Sequence, residues 1–211
     1  MNFRNAIATV VMAPRACSAK WASPTWSLVA LLVLLAGPVG AGEADDAHVW
    51  AALQEGGKVV LMRHAHVIIK EGIGRLRPGH CEEEVNLSAL GIEQAKRIGA
   101  AFRAHGVAVG EVLSSPYCRS LDTGQLAFGR ARPVDYLLPT GVVSEQQAAA
   151  NDNRVTREIV QYRGSANLVL ITQDMNIANI VLEPAEMGEM FVLQPVGADF
   201  VVVGEIRIDV R

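Results

Sequence analysis

The sequence feature that most constrains the fold is the apolar run Val59-Val60-Leu61-Met62, which ends abruptly in Arg63 and His64. A β-branched and aliphatic run that follows the pair Gly56-Gly57 predicts a buried parallel strand. Ligands of open α/β sheets bind outside the carboxyl ends of the strands, so Arg63 and His64 lie where a site is expected. The structural alternative is a histidine whose hydrogen bonds are satisfied at a strand terminus.

The rest of the chain alternates apolar strands with amphipathic helices. Strands are predicted at 109–113, 133–138 and 167–172, with a C-terminal hairpin at 189–194 and 199–208. Helices are predicted at 46–54, from the N-cap Ser88 to Gly106, at 117–128, and at 145–162 with a polar break at 151–153. This alternation predicts an α/β three-layer sandwich, with a mostly parallel sheet and helices on both faces.

The N-terminus has the pattern of a secretory signal peptide. Three basic residues precede the apolar stretch 27–40, no acidic residue occurs before Ala41, and small residues precede the expected cleavage site after Ala41. We therefore expect residues 1–41 to be a signal peptide and 42–211 to be one domain, periplasmic or secreted, with no stable membrane insertion after cleavage. An uncleaved membrane anchor is the alternative.

Charge and cysteine content narrow the function classes. Removing residues 1–41 leaves 16 Lys and Arg against 22 Asp and Glu, a net charge of −6. This acidic balance argues against nucleic acid as a partner. The mature chain keeps Cys81 and Cys118, which an oxidising compartment would join in a disulfide; either one is otherwise a small buried hydrophobe.

Charged side chains near the predicted sheet edge are further candidates for function. Arg119 falls in the first turn of the helix that follows strand 109–113, where backbone N–H groups also favour an anion. A surface arginine is the structural alternative. The acidic trio Glu82-Glu83-Glu84 is interpreted as a solvated charge run that repels anionic ligands or selects a cationic group.

Four blocks together resemble the histidine phosphatase (phosphoglycerate-mutase-like) superfamily. They are Leu61-Met62-Arg63-His64-Ala65, the segment 86–95 (NLSALGIEQA), the segment 113–123 (LSSPYCRSLDT) and the segment 170–177 (LITQDMNI). Their order and spacing cover nearly the whole mature chain, and the predicted signal peptide is similar to that of exported members.

The resemblance implies a phosphatase that acts on a small phosphorylated substrate. His64 would attack phosphorus and become a phosphohistidine, Arg63 and Arg119 would hold the phosphoryl oxygens, and no metal or cofactor would be required. Cationic donors of this kind stabilise the charge of phosphoryl transfer. Glu145 is the positional candidate for the proton donor to the leaving oxygen.

The fourth block departs from the family pattern. Gln173 occupies the position of the family's second histidine, and no histidine follows His105. Gln173 can give a phosphoryl oxygen only a neutral hydrogen bond, and losing one charged donor costs about 10² to 10³ in rate. The sequence therefore predicts attenuated phosphatase activity, with a pseudoenzyme that binds a phosphorylated or anionic ligand as the alternative.

A metal site is the third interpretation of the histidines. His64 and His66 are two residues apart, and His80 and Cys81 follow in the next loop. A closed zinc site needs four ligands in a set geometry, which this spacing supports poorly. The sequence carries no signal for a particular substrate or oligomeric state.

Overall fold

The computed structural model describes residues 41–68 and 78–210, all within the compact unit Pro38–Arg211. The predicted signal peptide lies outside the described residues except for Ala41, with which the first helix begins. No helix in the described ranges is both long enough and apolar enough to cross a bilayer.

A mixed six-stranded sheet forms the centre of the fold. Its strands are β1 Val59–Arg63, β2 Val109–Ser114, β3 Arg132–Pro133, β4 Asn167–Thr172, β5 Met190–Val196 and β6 Asp199–Ile206. The spatial order is β3-β2-β4-β1-β5-β6, in which the first four strands are parallel and the C-terminal hairpin is antiparallel. The predicted α/β class, the mostly parallel sheet and the hairpin are confirmed.

Five helices cover the two faces of this sheet. They are α1 Ala41–Glu55, α2 Ala89–Ala104, α3 Cys118–Phe128, α4 Glu145–Gln161 and α5 Asp174–Val181. Val60 and Met62 of β1 pack into a cluster with residues of α1 and α2, whereas Val59 and Leu61 pack with residues of α4 and α5. Because both faces of β1 are covered, the strand is a continuous apolar run.

The helix signals in the sequence act as expected around the site. Ser88 caps α2, since its hydroxyl accepts a hydrogen bond from the Gly91 N–H at 3.1 Å. Gly129 ends α3 in the left-handed conformation, with φ at 70°. These caps fix the two helices that flank the loop after β1.

The structure corrects two predicted features and adds one helix. The strand predicted at 133–138 is reduced to Arg132–Pro133 and is followed by a 3₁₀ turn at Asp135–Leu137, because a proline has no N–H to extend a ladder. The polar break predicted at 151–153 is absent, since Gln147 donates to Asn151 Oδ1 within a continuous α4. Helix α5 was not predicted, because Leu182 ends it in a left-handed conformation without a glycine.

Candidate active site

The carboxyl ends of three neighbouring strands bring the predicted site residues together. His64 follows β1 and Gln173 follows the adjacent β4, and the His64 N–H donates to the Thr172 carbonyl at 3.1 Å. Strand β2, on the other side of β4, leads through a short turn into α3, which carries Arg119. The sheet edge therefore assembles His64, Arg119 and Gln173 as the sequence predicted.

His64 is buried and held in one tautomer. Its Nδ1 lies 2.8 Å from the Ala65 carbonyl oxygen. Because a carbonyl can only accept, Nδ1 carries the proton, and the lone pair is left on Nε2. Burial is the main reason that the pKa of His64 is lowered to about 3, and the charges of Arg119 and Arg63 lower it further. The hydrogen bond to the Ala65 carbonyl and the charge of Asp174 act in the opposite direction. The ring is therefore neutral at physiological pH.

The backbone after His64 is fixed by α3. The Ala65 N–H donates to Thr123 Oγ1 at 3.0 Å, and the same hydroxyl donates to the Arg119 carbonyl at 2.7 Å. On the other side, the Gly188 N–H donates to the His64 carbonyl at 3.0 Å. Thr123, which the sequence analysis did not single out, thus links the loop that orients His64 to the helix that carries Arg119.

Arg119 extends from the first turn of α3 over the ring of Tyr117, whose centroid lies 4.5 Å from the guanidinium carbon. Its Nε and Nη2 both donate to Gln173 Oε1, at 3.2 and 2.9 Å. Its Nη1 is buried and has no hydrogen-bond partner among the described residues. Buried donors are nearly always paired, so this nitrogen marks a place for an acceptor.

Arg63 is placed at the same edge by the end of β1. Its Nη1 donates to the Ala185 carbonyl at 2.7 Å, and its Nη2 lies 3.5 Å from Asp174 Oδ2. Its Nε is a second buried guanidinium nitrogen that lacks a partner within the described ranges. Two arginines that each keep an unsatisfied buried donor beside His64 have the chemistry of a site for a small oxyanion.

The side-chain amide of Gln173 makes hydrogen bonds to other protein groups at both ends. Its amide oxygen accepts from Arg119, and its Nε2 donates to Ser120 Oγ at 3.1 Å. The side chain is only 6% exposed. In this arrangement Gln173 Oε1 satisfies two of the Arg119 donors.

Two carboxylates near the site make contacts that sequence reasoning did not predict. Asp174, about half exposed, forms the ion pair with Arg63; its position directly after Gln173 at a strand end was the available signal. Glu84 is buried, so the interpretation of the whole acidic trio as solvated is wrong for this residue, whereas Glu82 and Glu83 are exposed. Burial of Glu84 follows from the loop geometry, which no sequence signal indicated.

Glu145 is exposed in the first turn of α4, after the N-cap Ser144. It makes no hydrogen bond or ion pair with the residues described, so the structure gives it no contact with His64 or the two arginines. Its predicted role as proton donor therefore stays a prediction.

The two cysteines of the predicted mature chain form a disulfide, Cys81–Cys118, with Cα atoms 5.5 Å apart. This pairing confirms the disulfide hypothesis and removes the Cys81 thiolate from the metal-site alternative. His66 lies instead with its Nδ1 2.8 Å from the hydroxyl of Ser88, the N-cap of α2.

Comparison with known proteins finds a family model that matches part of the chain and solved structures with the same fold. The family model for the histidine phosphatase superfamily (branch 1) matches residues 52–138. A solved structure of the protein histidine phosphatase SixA complexed with tungstate is 16% identical, with a TM-score of 0.50, and the match covers 71% of this chain and 96% of that one.

Two further solved structures share the fold. Phosphoserine phosphatase from Entamoeba histolytica, in complex with 3-phosphoglyceric acid, is 13% identical with a TM-score of 0.53, over 72% of this chain and 97% of that one. YhfR from Bacillus stearothermophilus is 14% identical with a TM-score of 0.52, over 69% and 94%. A search of curated proteins gives no significant match. The chain is therefore similar to the histidine phosphatase superfamily over residues 52–138, and it shares its fold with these solved structures.

Proposed function

We propose that this protein is a phosphomonoester hydrolase that acts through a phosphohistidine on His64. The observation that carries the proposal is the state of His64: a neutral buried imidazole with Nδ1–H bound to the Ala65 carbonyl and its lone pair on Nε2. An imidazole held in this tautomer is a competent nucleophile without further deprotonation.

In the proposed reaction, Nε2 of His64 attacks phosphorus while the bond from phosphorus to the leaving oxygen breaks. The leaving oxygen takes a proton, and water later hydrolyses the phosphohistidine to inorganic phosphate. Arg63 and Arg119 would hold the equatorial oxygens through the two guanidinium nitrogens that lack partners in the described structure. Fixed cations stabilise the charge spread over these oxygens in the transition state.

We propose that Gln173 takes the place of a second catalytic histidine and attenuates turnover. The contact of its amide oxygen with two donors of Arg119 supports this interpretation, since an incoming phosphoryl group must replace that oxygen or use the remaining donor. A neutral amide also supplies no charge to the transition state. The expected cost is about 10² to 10³ in rate.

The proton donor is proposed to be a carboxyl group. Glu145 is the candidate from position in the chain, and Asp174 is the candidate from contact, because it pairs with Arg63 at 3.5 Å. Parallel Glu145→Gln and Asp174→Asn variants distinguish them. The donor's loss should lower turnover of an alkyl phosphate more than that of an aryl phosphate, whose leaving group needs little protonation.

The second candidate function is a pseudoenzyme that binds a phosphorylated or other anionic ligand without turnover. The contact between Gln173 and Arg119 also favours this second function. At position 173 an amide stands where the family has a histidine, whereas both arginines remain. Binding of inorganic phosphate without any hydrolysis would support this function over the first.

We also propose that the protein is exported, with cleavage after Ala41. The Cys81–Cys118 disulfide supports this proposal, because disulfides persist in oxidising compartments and are rare in the cytosol. Mass analysis of the N-terminus of protein recovered from the periplasm or medium tests it. A mature chain that begins at Gly42 is expected, and a cytoplasmic protein that retains residues 1–41 would contradict it.

The direct test of the proposed function is hydrolysis of a generic aryl phosphate by the purified protein, beside His64→Ala prepared identically. We expect slow turnover that disappears in the variant. Equal rates in both preparations would reject His64 as the nucleophile, and no turnover in either would favour the pseudoenzyme.

A further inference from the structure

Glu84 is a buried carboxylate with both oxygens engaged by backbone donors. Its Oε2 accepts from the Cys118 N–H at 2.7 Å, and its Oε1 accepts from the Gly79 N–H at 2.9 Å. The side chain at the N-cap position of α3, Tyr117, makes no capping hydrogen bond. Glu84 therefore caps α3 from a distant loop, and charge-assisted bonds of this kind are among the stronger ones.

The disulfide holds the same loop against the same helix end. Cys81 opens the 3₁₀ turn Cys81–Glu83 that directly precedes Glu84, and it is joined to Cys118, the first residue of α3. Cys81 is exposed and Cys118 is buried. A covalent bond and a charged hydrogen bond thus meet at the residue immediately before Arg119.

The charge of Glu84 also affects the pKa of Arg119. Burial lowers the pKa of the Arg119 guanidinium, and the Glu84 carboxylate is the strongest influence acting in the opposite direction. Glu84 therefore offsets part of the cost of burying the cation when no phosphoryl group is bound.

We propose that Glu84 is a positioning residue for Arg119 and that the Cys81–Cys118 disulfide keeps Glu84 in place. The loop carboxylate fixes the first turn of α3, and with it the guanidinium that binds phosphate. The expected effect on phosphate binding rests on the proposed function. The expected effect on the order of the Arg119 side chain does not depend on that function.

Reduction is the sharpest perturbation, because it changes no side chain other than the two cysteines. A dithiol supplies two electrons and two protons, leaves as its own cyclic disulfide, and yields the Cys81 and Cys118 thiols. Released from its covalent link, the loop is expected to lose the Glu84 contact with the Cys118 N–H.

The experiment follows the Arg119 Nε–H and the Cys118 amide by NMR in ¹⁵N-labelled protein, together with the affinity for inorganic phosphate. Reduction should speed hydrogen exchange at both sites and weaken phosphate binding, each by about 10-fold, the loss expected for a hydrogen bond to a charged group. Glu84→Ala should show the same losses while oxidised, and reduction of Glu84→Ala should add little.

Three further variants separate positioning from general destabilisation. Glu84→Gln keeps an oxygen that can accept from Cys118 but loses the charge, so its phosphate affinity and its exchange at Arg119 should lie between those of the parent and of Glu84→Ala. The pair Cys81→Ser and Cys118→Ser should reproduce the reduced protein without reductant. Glu83→Ala, an exposed neighbour in the same turn, should behave like the parent.

Unchanged exchange at the Arg119 Nε–H after complete reduction would overturn the proposal. Fully additive effects of reduction and Glu84→Ala would also overturn it, because the two changes would then act independently. If the oxidised parent fails to bind phosphate, the proposed function fails, and exchange at Arg119 still decides the positioning role.

Discussion

The two halves of the candidate site differ in the groups that they supply. The half built from the end of β1 and the start of α3 presents a neutral nucleophilic imidazole and two arginines with buried donors to spare. The half built from the end of β4 and the start of α5 presents an amide that already occupies one arginine, followed by a carboxylate, Asp174. In the proposed function, the first half supplies the nucleophile and the cations, and the second half limits turnover.

The largest effect is expected in the first half. Arg119→Ala should lower kcat/KM by about 10² to 10³, because it removes a preorganised cation from the transition state. Arg119→Lys should restore only part of the loss, since an ammonium cannot reproduce the guanidinium fork. Steady-state kinetics with an aryl phosphate measures both. Arg132→Ala, which removes an exposed arginine paired with Glu111, is the matched control and should leave the rate unchanged.

The second half should respond in the opposite direction. Gln173→His should raise kcat by about 10², because it supplies a protonatable donor and frees two donors of Arg119. Gln173→Ala frees Arg119 without adding a histidine, so comparison of the two variants separates these causes. A Gln173→His protein as inactive as the parent would place the defect elsewhere in the site and favour the pseudoenzyme.

Thr123, which links the loop after β1 to α3 in the first half, should show an intermediate effect on substitution. Thr123→Val removes the hydroxyl that accepts from Ala65 N–H and donates to the Arg119 carbonyl. We expect a loss of about 1 to 3 kcal/mol in the free energy of unfolding and about 10-fold in kcat. Denaturant unfolding and kinetics on the same preparation test this. A variant that loses stability but keeps its full kcat would show that Thr123 does not orient the His64 loop.

The smallest effect on catalysis at neutral pH is expected from the titration of His64, which changes stability instead. In the folded protein, burial lowers the pKa of His64 to about 3, below its ordinary value of 6.5. Between these values the unfolded state binds the extra proton, so this contribution is complete above pH 6.5 and is lost as the pH falls toward 3. The expected slope is at most about 1.4 kcal/mol per pH unit, and His64→Gln should lack it. An unchanged slope in His64→Gln would contradict the buried neutral state.

The sequence predicted more of the first half than of the second. The run from Val59 to His64 and the helix that carries Arg119 have strong local signals, namely an apolar strand and a glycine that ends the helix. Helix α5 has eight residues and a non-glycine end, so its first turn, with Asp174, was not recognised as helical. The side-chain geometry of Gln173 depends on Arg119, which is 54 residues away in the chain.

Burial of Glu84 was beyond sequence reasoning for a related physical reason. Three consecutive glutamates have the composition of a solvated segment, and two of them are solvated. The third is buried because the start of α3 offers it an N–H that no local side chain caps. Long-range partners of this kind decide burial, and local composition does not report them.

The most direct test of the central claim is a search for phosphate on His64 itself. The protein is incubated with an aryl phosphate, quenched in alkali to preserve an acid-labile phosphoramidate, and analysed by peptide mass spectrometry. We predict a phosphoryl group on the His64 peptide that is acid-labile and absent from His64→Ala. Hydrolysis that proceeds with no label on His64, or with a label on another residue, would contradict the phosphohistidine account.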